Sequence, residues 1–188
     1  RVRECARIAA ENNTILAIDM EGSGYVQSTV DAYEQLASEF RSVALCLQAY
    51  LHRTADDLER LARVKPYIRL VKGAYRESSA VALQSRGEID ARYRALATAL
   101  LRGVSNGTRV VFGSHDVPLL EAIRADARGL RVPDSAFEIQ MLYGIRPAEQ
   151  KRLADDGETV RVYIPYGTEW YGYLMRRLAQ RPQNLSFF

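Results

Sequence analysis

The chain has 188 residues, enough for one domain with a sizeable core, and 47% apolar against 26% charged residues is ordinary for a globular protein. A formal net charge of +3, with no basic run interleaved with aromatics, argues against a nucleic-acid binder, and no apolar run is long enough to span a bilayer. Two cysteines and two well-separated histidines argue against a structural zinc site, while Cys46, set within an apolar run, fits a reduced thiol in a cytoplasmic setting.

The first segment, 1–13, is charged and amphipathic, with Cys5, Ile8 and Ala9 on one side; it reads as the tail of a helix stopped at Asn12-Asn13. Six strand-length runs follow, at 15–20, 43–49, 68–74, 110–114, 137–142 and 160–165, each rich in β-branched or aromatic residues. Helical patterns alternate with them. Val26, Val30, Tyr33, Leu36 and Ala37 mark a helix over 25–40, and Thr54 is expected to cap one over 55–65. Leu96, Leu100 and Leu101 mark a long helix over 88–104, stopped near Asn106-Gly107. The stretches 117–127, 147–154 (Pro147 in the first turn) and 168–179 complete the set.

Strict alternation of strands and helices implies parallel βαβ units in a single domain over residues 1–188. Side-chain parity then separates two strand faces. One face is uniformly bulky, as in Leu45, Leu47, Ile68, Leu70, Val110 and Phe112, and should pack on helices. The other is small or polar: Asp19, Cys46, Gln48, Arg69, Gly113, His115, Glu138, Gln140, Arg161 and Tyr163. A doubly wound sheet would bury aliphatics on both faces, whereas a polar second face fits the lumen of a (β/α)8 barrel with its site at the strand C-terminal ends. Six of eight strands are present, so either two N-terminal strands are missing, the expectation for a chain that begins inside a helix, or the barrel is not closed.

Several residues at those ends can carry chemistry. Asp19 is a carboxylate at the barrel mouth, or a helix cap or turn residue. Arg69 is a cation in an otherwise apolar run; it is either a functional group of the lumen or half of a buried ion pair with Glu138. Lys72 suits a Schiff base, a phosphate contact or a solvated loop. Gly73-Ala74 lacks bulk, so its backbone can approach a ligand closely. Gln48 is a neutral donor and acceptor, and His115 is a ligand contact or a cap of the helix beginning near Asp116. Arg176 and Arg177 can converge on a carboxylate, or serve as solvated charges at a helix end. Trp170, Leu174 and Leu178 read as core.

The motifs IRLVKGAYRE, FGSHD, FEIQMLYGIR and VRVYIPYGTEWYGYLMRRLAQRPQNLSFF, in this order, resemble the proline dehydrogenase family. The resemblance runs from IDMEG near the front to the final SFF. It implies a modified (βα)8 barrel that binds FAD non-covalently and oxidises L-proline to Δ1-pyrroline-5-carboxylate by hydride transfer to flavin N5. A quinone would take the electrons, which implies contact with a membrane at its periphery. Residue by residue, it implies that Arg69 lies near N5, and that Gln48, Lys72, Gly73, Ala74, Ser114, His115 and the backbone of Met20 contact FAD. Asp19 would be an active-site carboxylate, Tyr163 would pack on the proline ring, and Arg176 and Arg177 would clamp the substrate carboxylate. Arg76 stands where bifunctional relatives carry Trp, which implies the monofunctional type. Gln180 stands where some relatives carry Glu. The alternatives are a Schiff-base lyase using Lys72, or an incomplete barrel without activity.

Overall fold

The computed structural model describes residues 1–168. The helix expected over 168–179, with Trp170, Leu174, Arg176, Arg177 and Leu178, and also Gln180, therefore lies outside the described residues apart from Thr168, which sits in a bend. Six parallel strands form one curled sheet: β1 (Leu16–Ile18), β2 (Val43–Gln48), β3 (Tyr67–Val71), β4 (Arg109–Gly113), β5 (Phe137–Leu142) and β6 (Thr159–Tyr163), paired strictly in chain order. Among the described residues, six α-helices accompany them: α1 (Val2–Glu11), α2 (Val26–Ala37), α3 (Thr54–Leu61), α4 (Arg86–Gly103), α5 (Val117–Gly129) and α6 (Pro147–Asp155). Each βαβ crossover returns the chain to the adjacent strand, which is how a β/α barrel wall is built. The fold is a half-barrel of this type: the alternation predicts its parallel strands, and the polar second face predicts the barrel.

The bulky strand face is the core. Leu45, Leu47, Ile68, Leu70, Val110, Phe112, Ile139 and Met141 are buried and cluster with Val30 and Tyr33 of α2, Leu100 and Leu101 of α4, and Ile123 of α5. Burying each such side chain contributes roughly 1.5–3 kcal/mol. Two helix tyrosines satisfy their hydroxyls on the backbone of β3. Tyr93 donates to the Leu70 carbonyl at 2.9 Å, and Tyr33 accepts from the Tyr67 N–H at 2.8 Å. Burial pushes the Tyr33 phenol up to about 12, so both act as neutral hydrogen-bonding groups in the core.

Local chemistry corrects three sequence expectations. In α1 it is Ala6 and Ala9 that are buried, while Cys5 and Ile8 are exposed. Thr54 does not cap α3; it is the first residue inside the helix, and its hydroxyl donates to the Gln48 carbonyl at 2.5 Å. A buried hydroxyl beside an unpaired strand-end carbonyl has that closer partner. The helix then ends earlier than expected, at Leu61, because a 3₁₀ turn and Lys65 at φ 51° redirect the chain into β3. By contrast, α5 begins as its sequence suggests, with the Asp116 carboxylate accepting from the Leu119 N–H and proline in the first turn.

Candidate active site

The strand C-terminal ends bring Asp19, Met20, Gln48, Arg69, Lys72, Gly73, Ala74, Ser114, His115 and Tyr163 to one rim and the lumen beneath it. Parity accounts for most of this, since Cys46, Arg69, Val111 and Glu138 lie in register on the lumen face. Asp19 and Met20 sit just past β1; Asp19 is half exposed and Met20 buried.

Arg69 spans this lumen. Its Nε donates to Gln140 Oε1 at 2.8 Å, and its Nη1 donates to Asp19 Oδ1 at 3.1 Å and to Cys46 Sγ at 3.4 Å. Its guanidinium carbon lies 5.7 Å from the centre of the Tyr163 ring, within cation–π range. Glu138 does not pair with Arg69. Its carboxylate binds Arg161, with Nε to Oε2 at 3.0 Å, and accepts from the Tyr67 hydroxyl at 3.3 Å. Arg161 shares the lumen face on β6, and its shorter reach captures Glu138. Cys46 is buried, and burial pushes its thiol pKa up against the opposing pull of Arg69, so it remains a thiol.

A second group of contacts ties the loop after β1 to the loop after β3. Buried Gln48 donates from Nε2 to the Glu21 carbonyl at 3.0 Å and accepts from the Ala74 N–H at 3.3 Å. The Tyr75 hydroxyl donates to the Glu21 carboxylate. Glu77 accepts from both the N–H and the hydroxyl of Ser23, each at 2.7 Å, and these bonds hold its pKa below the usual carboxylate range. Gly73 has φ 130°, and a Cβ there would stand 2.3 Å from the Tyr50 ring. Close packing on Tyr50 thus requires this glycine, whatever else approaches its exposed backbone.

Lys72 is neither a solvated loop lysine nor a free amine. It lies just beyond β3, and its ammonium binds the carboxylates of Asp90 on α4 and Asp116 before α5, the latter at 2.7 Å. Arg86 joins the same pair, reaching Asp116 at 3.1 Å. Burial alone would raise the Asp116 pKa, but Lys72 and Arg86 outweigh it and hold it low. Ser114 is buried and its hydroxyl accepts from the Asp116 N–H at 3.1 Å. His115 does not cap α5. Its Nε2 accepts from the Leu142 N–H at 2.8 Å, joining the ends of β4 and β5.

The parity of Gln140 is visible in the sequence, but its partner is not. Tyr50, Tyr75 and Glu77 carried no signal, because their partners lie about 20–50 residues away and turn on loop geometry that no period encodes.

The family model for proline dehydrogenase matches residues 1–188. Among curated proteins, proline dehydrogenase 1 of Bacillus subtilis (strain 168) is 39% identical over 186 residues, a match covering 99% of this chain and 61% of that protein. The proline dehydrogenase of Deinococcus radiodurans is 39% identical over 181 residues, covering 95% and 57%. The bifunctional protein PutA of Escherichia coli (strain K12) is 29% identical over 217 residues, covering all of this chain and 16% of that protein. The chain thus spans about three fifths of the length of the B. subtilis relative. Among solved structures, proline utilization A (PutA) from Bdellovibrio bacteriovorus, inactivated by N-propargylglycine, superposes with a TM-score of 0.88 at 30% identity, covering 94% of this chain and 21% of that one. A PutA structure with proline bound in remote sites gives 0.85 at 26% identity, covering 99% and 21%.

Proposed function

The chain belongs to the proline dehydrogenase family, and from that premise we propose that it oxidises L-proline to Δ1-pyrroline-5-carboxylate with non-covalently bound FAD, the electrons passing on to a quinone. The observation that carries this reading is the setting of Arg69, a guanidinium inside the lumen whose partners are a neutral amide, a thiol and one half-exposed carboxylate. A cation with no buried counter-charge among the described residues suits a ring system that gains negative charge on reduction.

When bound, FAD would supply the two-electron acceptor that protein side chains lack. Met20, Gln48, Arg69, Gly73, Ala74, Ser114 and His115 would hold it, and their chemistry fits: neutral donors and acceptors, exposed backbone at Gly73-Ala74, and one cation. Lys72 would contribute through the loop it anchors, since its ammonium is already bound by two carboxylates. Asp19 would hold the substrate amine at the mouth and Tyr163 would pack on its ring. Arg176 and Arg177 would bind the carboxylate bidentately. The protein's contribution is to position and polarise, not to exchange electrons. A quinone acceptor would bring a cytoplasmic protein to the membrane periphery. Among the described residues, no helix is long and apolar enough to cross a membrane.

The competing enzyme, a Schiff-base lyase working through Lys72, requires a free amine, and the doubly paired ammonium argues against it. The test is the visible spectrum of the purified protein before and after anaerobic proline. A yellow protein bleached by proline supports the reading. A colourless protein whose spectrum ignores added FAD overturns it and favours an inactive barrel, and borohydride trapping of a carbonyl substrate on Lys72 would favour the lyase. In the active protein, Arg177→Ala is expected to raise the KM for proline roughly 10–100-fold, the loss of a charged hydrogen-bonded contact. An unchanged KM would remove Arg177 from the substrate site.

A further inference from the structure

We propose that Gln140 is a positioning residue: it fixes the orientation of the Arg69 guanidinium across the lumen, through a gap left open by Gly113. The two side chains come from β3 and β5, which do not touch; β4 runs between them. Their bond, Nε to Oε1 at 2.8 Å, must cross the lumen face of that middle strand. The residue of β4 in register with Gln140 is Gly113. A Cβ at Gly113 would lie 3.7 Å from Arg69 Nε and 3.0 Å from Val71 Cγ1, so any larger side chain would occupy the path that the guanidinium takes. Glycine here is not a turn residue; it is the last residue of β4 and still pairs with β5.

The second anchor of Arg69 is weaker. Asp19 lies beyond the end of β1 with its side chain 55% exposed, and such ion pairs are competed by water and salt. Gln140 is the more enclosed partner, and its amide accepts a hydrogen bond without cancelling the charge. A glutamate there would hold the same N–H but neutralise the cation. The amide therefore separates two tasks, with orientation set by Gln140 and charge left to Arg69. The catalytic consequence rests on the proposed flavin chemistry at Arg69; the positioning does not.

Two measurements separate these. On the purified protein, exchange of the Arg69 Nε–H is followed by NMR against that of exposed Arg102. The expected result is at least tenfold protection of Arg69, kept in Gln140→Glu and lost in Gln140→Leu. On the flavin-loaded protein, Gln140→Leu is expected to slow flavin reduction by proline about tenfold with the proline KM within twofold. Gln140→Glu should lower the flavin potential despite keeping the Nε–H protected. Exchange of Arg69 as fast as Arg102 in the unaltered protein overturns the proposal without reference to any variant. Full protection of the Arg69 Nε–H in Gln140→Leu overturns it as well; an unchanged reduction rate in that variant overturns the catalytic consequence. Should the protein bind no flavin, the functional reading fails, and the exchange measurement still decides the role of Gln140.

Discussion

At Gly73 a single hydrogen atom decides whether the loop after β3 can close. With φ at 130° the residue occupies backbone space that other residues enter at a cost of about 1–3 kcal/mol, and the Tyr50 ring fills the place of a Cβ. Gly73→Ala is therefore expected to lower the unfolding free energy by at least about 2 kcal/mol in a urea titration. A loss under about 0.5 kcal/mol would mean that neither the positive φ nor the Tyr50 ring constrains this position. The two cysteines offer a second check at this scale. Cys5 is exposed on α1 and Cys46 is buried beside Arg69 with its thiol pKa raised. A thiol reagent should modify Cys5 within seconds to minutes and Cys46 only at the rate of unfolding. Equal rates for both would contradict the burial of β2.

Between elements, Asp116 is where β3, α4 and α5 are joined. It caps α5 through the Leu119 N–H and binds Lys72 and Arg86. Its folded pKa lies below its unfolded value, so the stabilisation is complete above about pH 4 and is lost as pH falls through the lower, folded value. Asp116→Asn keeps a capping side chain and removes the charge. It should be roughly 1.5–3 kcal/mol less stable at pH 7, with the difference closing as pH falls through the lowered, folded value. A difference that does not change with pH would mean that the cluster acts through packing and not through charge. This junction also marks the limit of what the sequence discloses. The six strands, the order of helices and the lumen face follow from periodicity, because burial imposes a period of 2 on strands and 3.6 on helices. Arg69, Gln48 and His115 were therefore visible as lumen or rim groups. Which acceptor each one meets was not, because partner choice depends on reach across the curled sheet. Glu138 goes to Arg161, and Arg69 passes over Gly113 to Gln140. Lys72 broke parity in the sequence because it already lies beyond the strand, where loop carboxylates and not the lumen decide its contacts.

Across the molecule, the sheet is unevenly supported. β2 is buried at every residue and has neighbours on both sides, as do β3 and β4. In β6 the side chains other than Val160 are exposed, and among the described residues its contacts include the ladder to β5, Arg161–Glu138, the Tyr163 ring under Arg69 and one buried ion pair at its start. That pair joins Arg124 of α5 to Glu158, whose side chain is fully buried. Burial raises the Glu158 pKa against the pull of Arg124, and its Oε2 makes no hydrogen bond among the described residues. Removing one partner of such a pair typically costs about 3–5 kcal/mol, because the other charge is left buried and unpaired, whereas replacing both with apolar side chains is near neutral. Arg124→Met should accordingly strip hydrogen-exchange protection from β6 first, leaving β2, β3 and β4 exchanging by global unfolding. The double variant Arg124→Met with Glu158→Leu should restore most of the β6 protection. If Arg124→Met instead lowers protection equally in all six strands, β6 is not a separate unit and the half-barrel unfolds as one body. If the double variant is no better than the single, the pair is needed for its geometry and not merely to neutralise a buried charge.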